Sequence, residues 1–402
     1  MIKKIFLLTL IIGWTCNIQS QDYQIVFQDI DDSQLQVGAA RTQGYFSAIK
    51  GKKLALCVNH TSTVGDIHLL DTLLASGMNV VKIFSPEHGF RGNEEAGKHI
   101  NSSTDSKTGV PIVSLYGKNK KPTKEQMQGI DILVFDMQDV GARFYTYIST
   151  LHYVMEAAAE NNVKVIVLDR PNPNGFWVDG PVLDTSLRSF VGMHPVPIAH
   201  GMTIGEYAQM INGEGWLAKG IKCDLMIIRV FGYAHMFRYQ LPKNPSPNIS
   251  SMTAVYLYPS LCLFEGTVMS LGRGTDKPFC LLGHPDFQIG EEYFTPKNIP
   301  GVATNPPCLN KKCRGIDLTN LSLIIMKNNN FINVHLLIDA YANYPDKANF
   351  FTPFFDKLAG TKQLREQIIA GKTADDITAS WREDLKKFKQ IRKKYLLYPD
   401  FE

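Results

Sequence analysis

A chain of 402 residues, 44% hydrophobic and 20% charged, is long enough to bury two sizeable cores and too apolar for a disordered protein. Its 42 Lys and Arg against 38 Asp and Glu leave a net charge of +4, too dilute over this length for a nucleic-acid footprint.

The chain begins with Lys3 and Lys4, an apolar run from Ile5 to Trp14, and then small and polar residues, the layout of a secretory signal. The run is too short to span a bilayer, so residues 1–20 are expected to be removed after Ser20, with a lipid anchor on Cys16 as the alternative. Export would bring the later cysteines into an oxidising compartment. Of these, Cys308 and Cys313 in NPPCLNKKC are placed to pair, whereas Cys57, Cys223, Cys262 and Cys280 lie in apolar segments that suit buried thiols. No CxxC pair is present to hold a structural zinc.

Short β-rich runs follow at 52–58, 79–84, 112–116, 131–137, 163–169 and 223–230. Helix signals separate them: Asp66 to Ser76 closed by Gly77, Thr123 to Gln128, Tyr145 to Asn161, and Thr203 to Asn212, where Thr203 and Glu206 form a capping-box signature. Continuous apolar strands alternating with helices predict an α/β fold, a doubly wound and largely parallel sheet covered on both faces. Three prolines in LPKNPSPNISS (241–251) interrupt any regular element, so the expected domains are 21–250 and 251–402. The tail REDLKKFKQIRKKYLLY reads as a solvated terminal helix.

Ligands of open α/β sheets bind outside the carboxyl ends of the strands, so the residues just past each strand are the candidates. They are Asn59 and His60; Glu87 and His88; Gln138, Asp139 and Arg143; and Asp169, Arg170 and Asn172. Turn chemistry accounts for Asn, Asp, Gly and Pro at such positions but not for Glu87, His88, Arg143 and Arg170. A carboxyl group just past a buried strand can keep its proton near neutrality, as a general acid must, which makes Glu87 the first candidate. The alternative for Glu87 is a structural salt bridge to Arg91, and for Asp139 one to Arg143. Arg170 and Asn172 either hold the turn or present donors to a sugar or carboxylate. His200 precedes a helix start where an anion can sit. The run from Arg143 to Tyr153 is mostly core, with Tyr145 or Tyr147 open to stack on a sugar. Glu265 and Arg273, each beside a glycine, either close the cleft from the second domain or form one ion pair. His60 and His88 with Asp136 or Asp139 make a mononuclear metal site conceivable, but no HxH or HExxH spacing supports it, and no metal or other cofactor is expected. The chain has no GxGxxG after its first strand, no GxxxxGK[ST] and no GxSxG elbow, which disfavours nicotinamide, nucleotide and serine-hydrolase chemistry.

The ordered set FSPEHGFRG, TGVPIVSLYGKNKKPT, DILVFDMQDVGARFYTYISTL, VLDRPNPNG, VDGPVL, SFVGMHPVPIAHGMT, PSPN, YPSLCLFEGT and GRGTDKPF resembles the exo-β-N-acetylmuramidase family, NamZ, also called YbbC-like or glycoside hydrolase family 171. The resemblance runs from about Leu54 to the C-terminus. It implies a Rossmann-like N-terminal domain, a smaller C-terminal domain and an active site between them. The implied activity is release of terminal, non-reducing N-acetylmuramic acid from β-1,4-linked peptidoglycan fragments, in the periplasm or on an outer surface. By motif, Glu87 is the catalytic acid, and His88, Gln138, Asp139, Arg143, Arg170, Asn172, His200, Glu265 and Arg273 fall at matching positions. Candidates for a second carboxylate are Asp139, Glu265 and Glu95, and Arg143, Arg170 and Arg273 are candidates to clamp the lactyl carboxylate of muramic acid. One departure stands out: the segment that usually contains an AGE triplet reads EEAGKHI, with Lys98 in place of the acid. A metal-dependent hydrolase and a muropeptide-binding protein without turnover are the alternative readings.

Overall fold

The computed structural model describes residues 35–86, 90, 91, 103–321 and 331–402. The predicted leader with Cys16, and Glu87, His88, Glu94, Glu95 and Lys98, lie outside the described residues.

Six parallel strands build the N-terminal sheet: β1 Lys53–Val58, β2 Asn79–Ser85, β3 Pro111–Ser114, β4 Ile132–Asp136, β5 Lys164–Leu168 and β6 Leu225–Ile228. Each overlaps the run read from the sequence. Their order is β3-β2-β1-β4-β5-β6, with a two-residue antiparallel strand, Ser103–Thr104, beside β3. The order reverses between β1 and β4, so the crevice of this doubly wound sheet opens where Val58 and Asp136 end side by side.

The unbroken apolar sequence of β1 has a direct cause. Leu54, Leu56 and Val58 point into one layer with Leu69, Leu70 and Leu73 of α1 (Leu69–Ala75). Ala55 and Cys57 point into the other, against α2 (Tyr147–Glu160) and α3 (Ile204–Gly213). Burying both faces stabilises the strand by roughly 1.5–3 kcal/mol for each large aliphatic side chain. The capping box that starts α3 is formed: Thr203 Oγ1 accepts from the Glu206 amide at 3.3 Å, and the Glu206 carboxylate accepts from the Thr203 amide at 2.9 Å.

Just past the proline-rich segment, Ser251 caps helix α4 (Met252–Leu261). A small antiparallel sheet follows, β7 Leu281–His284, β8 Glu292–Phe294 and β9 Cys313–Asp317, in the order β7-β9-β8. Phe264, Phe355 and Leu358 of this part share one continuous core with Phe84 and Phe135 of the large sheet. Cys308 and Cys313 lie side by side as thiols, so the expected bridge is not formed. No helix among the described residues is long and apolar enough to cross a membrane.

The tail forms the expected helix with most of its charged residues exposed, but its end is anchored. Helix α5 (Arg382–Arg392) ends on an arginine that is 1% exposed, because its guanidinium donates to the Gly201 carbonyl and to the Asp400 carboxylate. Beyond it the Leu397 amide donates to Glu206 at 2.7 Å, and the Tyr398 hydroxyl donates to Asp169 at 2.5 Å while accepting from the Val230 amide. The last residues thus fasten back onto the N-terminal sheet.

Candidate active site

The carboxyl ends of β1, β4 and β5 are stitched together by their own polar side chains. Asn59 Oδ1 accepts from the Thr61 amide and hydroxyl, Thr61 Oγ1 accepts from the Gln138 amide at 3.0 Å, and Ser62 Oγ donates to the Asp136 carbonyl. Gln138 Nε2 then reaches the Pro171 carbonyl at 2.7 Å. Arg170 grips Asp136 through two bonds of 2.6 and 2.9 Å and also donates to the Thr63 carbonyl. Asn172 joins the Met202 carbonyl and the Asn174 amide. These groups make a rigid floor. For Gln138, Arg170 and Asn172 the geometry is that of structural ties, and a direct hold on substrate is not what it displays.

Arg143 is corrected in both of its expected roles. It is fully buried, and its Nη1 and Nη2 donate to the carbonyls of Pro181, Val196, Leu358 and Ala359 at 2.7–2.9 Å. It therefore neither pairs with Asp139 nor faces a sugar; it pins two loops of the first domain to the second. Likewise Arg91 pairs with Asp105 and Asp71.

Asp139 sits at the switch point and is 3% exposed. Its Oδ2 accepts from the Gly141 amide at 2.7 Å and lies 3.8 Å from His200 Nε2, too far for a hydrogen bond. Burial pushes its carboxyl up to about 7, against the pull of the Gly141 and Val140 amides. His200 accepts the Met202 amide on Nδ1, and burial drives its pKa down to about 3, so it is a neutral ring with its proton on Nε2. His60 Nε2 donates to the Asn244 carbonyl at 2.8 Å. Asn59 Nδ2, His60 Nδ1, Ser85 Oγ, Asp139 Oδ1 and His200 Nε2 carry no hydrogen bond among the described residues. Such orphaned polar atoms are costly in a fold and cluster where ligands or chemistry belong.

A cavity of about 160 Å³ lies where the chain runs on from β4 into α2, and none of the tied polar groups of the floor lines it. The first domain contributes Phe144 to Tyr147; the segment after the predicted boundary contributes Ser246, Asn248 and Ile249; the second domain contributes Tyr258, Glu265, Arg273 and Phe279. Tyr145, Tyr147, Tyr258 and Phe279 meet edge to face, with ring centroids 4.8–5.9 Å apart, and give the cavity aromatic walls. Glu265 and Arg273 form the ion pair that the sequence left open, at 2.7 Å, and both remain between a quarter and a third exposed. The glycines beside them serve close backbone approach. A Cβ on Gly266 would meet Phe355 Cα at 2.4 Å, and Gly274, at φ +82°, has the Lys297 carbonyl in the same position. Sequence reasoning missed Ser246, Asn248 and Tyr258. PSPN, read as a domain boundary and as one motif of the resemblance, supplies Ser246 and Asn248 to the wall, and the Tyr145 hydroxyl donates to its Pro245 carbonyl at 2.7 Å.

Comparison with known proteins gives the chain a family. The family described as exo-beta-N-acetylmuramidase NamZ, N-terminal, matches residues 54–253, and its C-terminal counterpart matches residues 256–398. The chain is 39% identical over 374 residues to the peptidoglycan beta-N-acetylmuramidase NamZ of Bacillus subtilis strain 168, covering 88% of this chain and 89% of that protein. Among solved structures it is similar to two DUF1343 family proteins of Bacteroides fragilis NCTC 9343. One is 51% identical with a TM-score of 0.85 and the other 30% identical with a TM-score of 0.77, each over 91% of this chain and 99% of theirs.

Proposed function

The chain belongs to the exo-beta-N-acetylmuramidase NamZ family, and from that premise we propose that it is an exo-acting glycosidase releasing terminal, non-reducing N-acetylmuramic acid from β-1,4-linked peptidoglycan fragments. The observation that carries the reading is the cavity walled by Phe144 to Tyr147 of the first domain and by Tyr258, Glu265, Arg273 and Phe279 of the second, within a chain matched from residue 54 to residue 398. A walled cavity suits capture of a chain end, as an exo enzyme requires.

Glycoside cleavage needs a proton for the leaving oxygen and negative charge near the anomeric carbon. Glu87 is the proposed acid. Strand β2 ends at Ser85, and the parallel register that sets Cys57 opposite Phe84 puts the end of β2 beside Asn59, next to the switch point. Pro86 cannot donate to the ladder, and Glu87 and then His88 follow it in the sequence, His88 being the residue proposed to orient the acid or bind substrate. Of the second carboxylates named from sequence, Glu95 lies outside the described residues, and of the other two Glu265, which lines the cavity, is the better placed to stabilise an oxocarbenium-like transition state. Asp139 is enclosed, and its part is to hold the floor.

The leader-like residues 1–20 support work outside the cytoplasm, in the periplasm, where peptidoglycan fragments arise. The decisive experiment is turnover of a chromogenic N-acetylmuramide by Glu87→Gln. A loss of several orders of magnitude with an unchanged melting temperature is expected, and near wild-type turnover would sink the assignment.

A further inference from the structure

Muramic acid differs from glucosamine by a lactyl ether that carries a carboxylate, so an enzyme that selects it needs a cation with free donors facing the sugar. The three arginines that the sequence offered for this are sorted by where their donors already go. The four terminal-nitrogen bonds of Arg143 run to main-chain carbonyls, and the cation is fully buried. Arg170 is held by Asp136 and the Thr63 carbonyl and is 3% exposed. Arg273 differs. Only its Nη1 is engaged, by Glu265, while Nε and Nη2 carry no hydrogen bond among the described residues. It is also the arginine among these that lines the cavity.

Its presentation is fixed by the backbone. Gly272 (φ +72°) and Gly274 (φ +82°) flank it in the left-handed region, and a Cβ on either would strike the Lys277 or Lys297 carbonyl at 2.7 or 2.4 Å. Arg273 and Glu265 line both the 160 Å³ cavity and a second one of about 270 Å³, which Thr267, Met269, Leu271, Pro307 and Phe354 also line. A sugar ring against the aromatic walls can therefore direct an ether substituent past Arg273 into apolar space that suits the lactyl methyl group. On the other side of the cavity Asn248 is 4% exposed, its Nδ2 donates to the Val302 carbonyl at 2.8 Å, and its Oδ1 carries no hydrogen bond among the described residues.

Resting on the muramidase reading, we propose that Arg273 is the specificity residue that binds the lactyl carboxylate through its free edge, with Glu265 holding the guanidinium in register from the other side. Neutral N-acetylglucosamine offers no anion to that edge. Two carboxylates on one planar cation is an arrangement that arginine supports and lysine, with a single ammonium, does not reproduce.

The test is calorimetric titration of the full chain with free N-acetylmuramic acid and, separately, free N-acetylglucosamine, for wild type, Arg273→Gln and Arg273→Lys, with melting curves as the check on folding. A charge-assisted pair predicts that wild type prefers the acidic sugar by about 10- to 100-fold, that Gln abolishes the preference while leaving the weak N-acetylglucosamine affinity in place, and that Lys restores part of it. Equal loss of affinity for both sugars in Arg273→Gln, or a preference that survives it, overturns the proposal. Turnover of a chromogenic N-acetylmuramide by wild type is measured in parallel. Its absence would count against the glycosidase reading alone, since the binding preference is read without any bond being cleaved.

Discussion

Replacing Asp139 by Asn should change how stability depends on pH, and the size of the change follows from one buried carboxyl. In the folded chain burial raises its pKa from an ordinary 3.8 to about 7. The folded state therefore holds the proton more tightly than the unfolded state, and stability attached to this group is lost as pH rises from about 4 to about 7. Between pH 5 and pH 8 the two pKa values give a loss of about 3 kcal/mol, near-complete by pH 8. Asparagine has the same shape, can accept the Gly141 amide on its oxygen and cannot ionise, so the variant lacks this loss. Wild type alone would not reveal it. His152, His194 and His200 are all held below their ordinary pKa by burial, and they remove stability in the opposite direction, as pH falls below about 6.5. Their contribution cancels in the difference between the two proteins. The assay is urea unfolding of both from pH 5 to pH 8, extrapolated to water. A variant that gains about 3 kcal/mol on wild type across that range is expected. Curves that run parallel to within about 0.5 kcal/mol would refute the claim that Asp139 is buried as drawn, since a solvated carboxyl finishes titrating below pH 5.

Two further outcomes test the floor and the leader. Arg170→Met strands the Asp136 carboxylate, which is fully buried, and should cost about 3–5 kcal/mol in denaturant unfolding, whereas the double change with Asp136→Leu should recover much of that loss. Mass spectrometry of the protein recovered from the periplasm of its host should give a mature chain that starts at Gln21; a lipid-modified Cys16 or an intact Met1 would each contradict that processing.

Much of the fold was legible because its causes are local. Period and composition located all six parallel strands, and the Thr203 to Glu206 spacing located a helix start, since each rests on residues only a few positions apart. The tail was not legible for the opposite reason. Nothing in KKFKQIRKKYLLY says that Arg392 will meet Gly201 or that Tyr398 will meet Asp169, contacts that span 191 and 229 residues. A basic amphipathic helix looks solvated until the carbonyls it caps are known. The same limit governed the site. Sequence named Arg143, Arg170, Asp139 and Asn172 from their positions after strands but had no means of telling donors spent on the protein from donors left for a ligand.

That distinction bears on how the site works. Asp169, pushed up to about 6 by burial against the pull of its donors, collects the Thr203 and Tyr398 hydroxyls and the Gly205 amide, while Arg170 and Asp136 close on each other one strand away. Most of the rim's charge thus rigidifies the ends of β4 and β5, and the tail locks that floor from beneath. A fixed floor lets the few groups with free atoms act from defined positions, because a displacement of even an ångström in such groups is costly in rate. Arg273 and Glu265 belong to the other wall, carried by the second domain, and the four carbonyl bonds of Arg143 tie that domain's Leu358 and Ala359 to the first. The buried arginine that sequence offered as a sugar ligand therefore serves the same cleft indirectly, by fixing the spacing between its two walls.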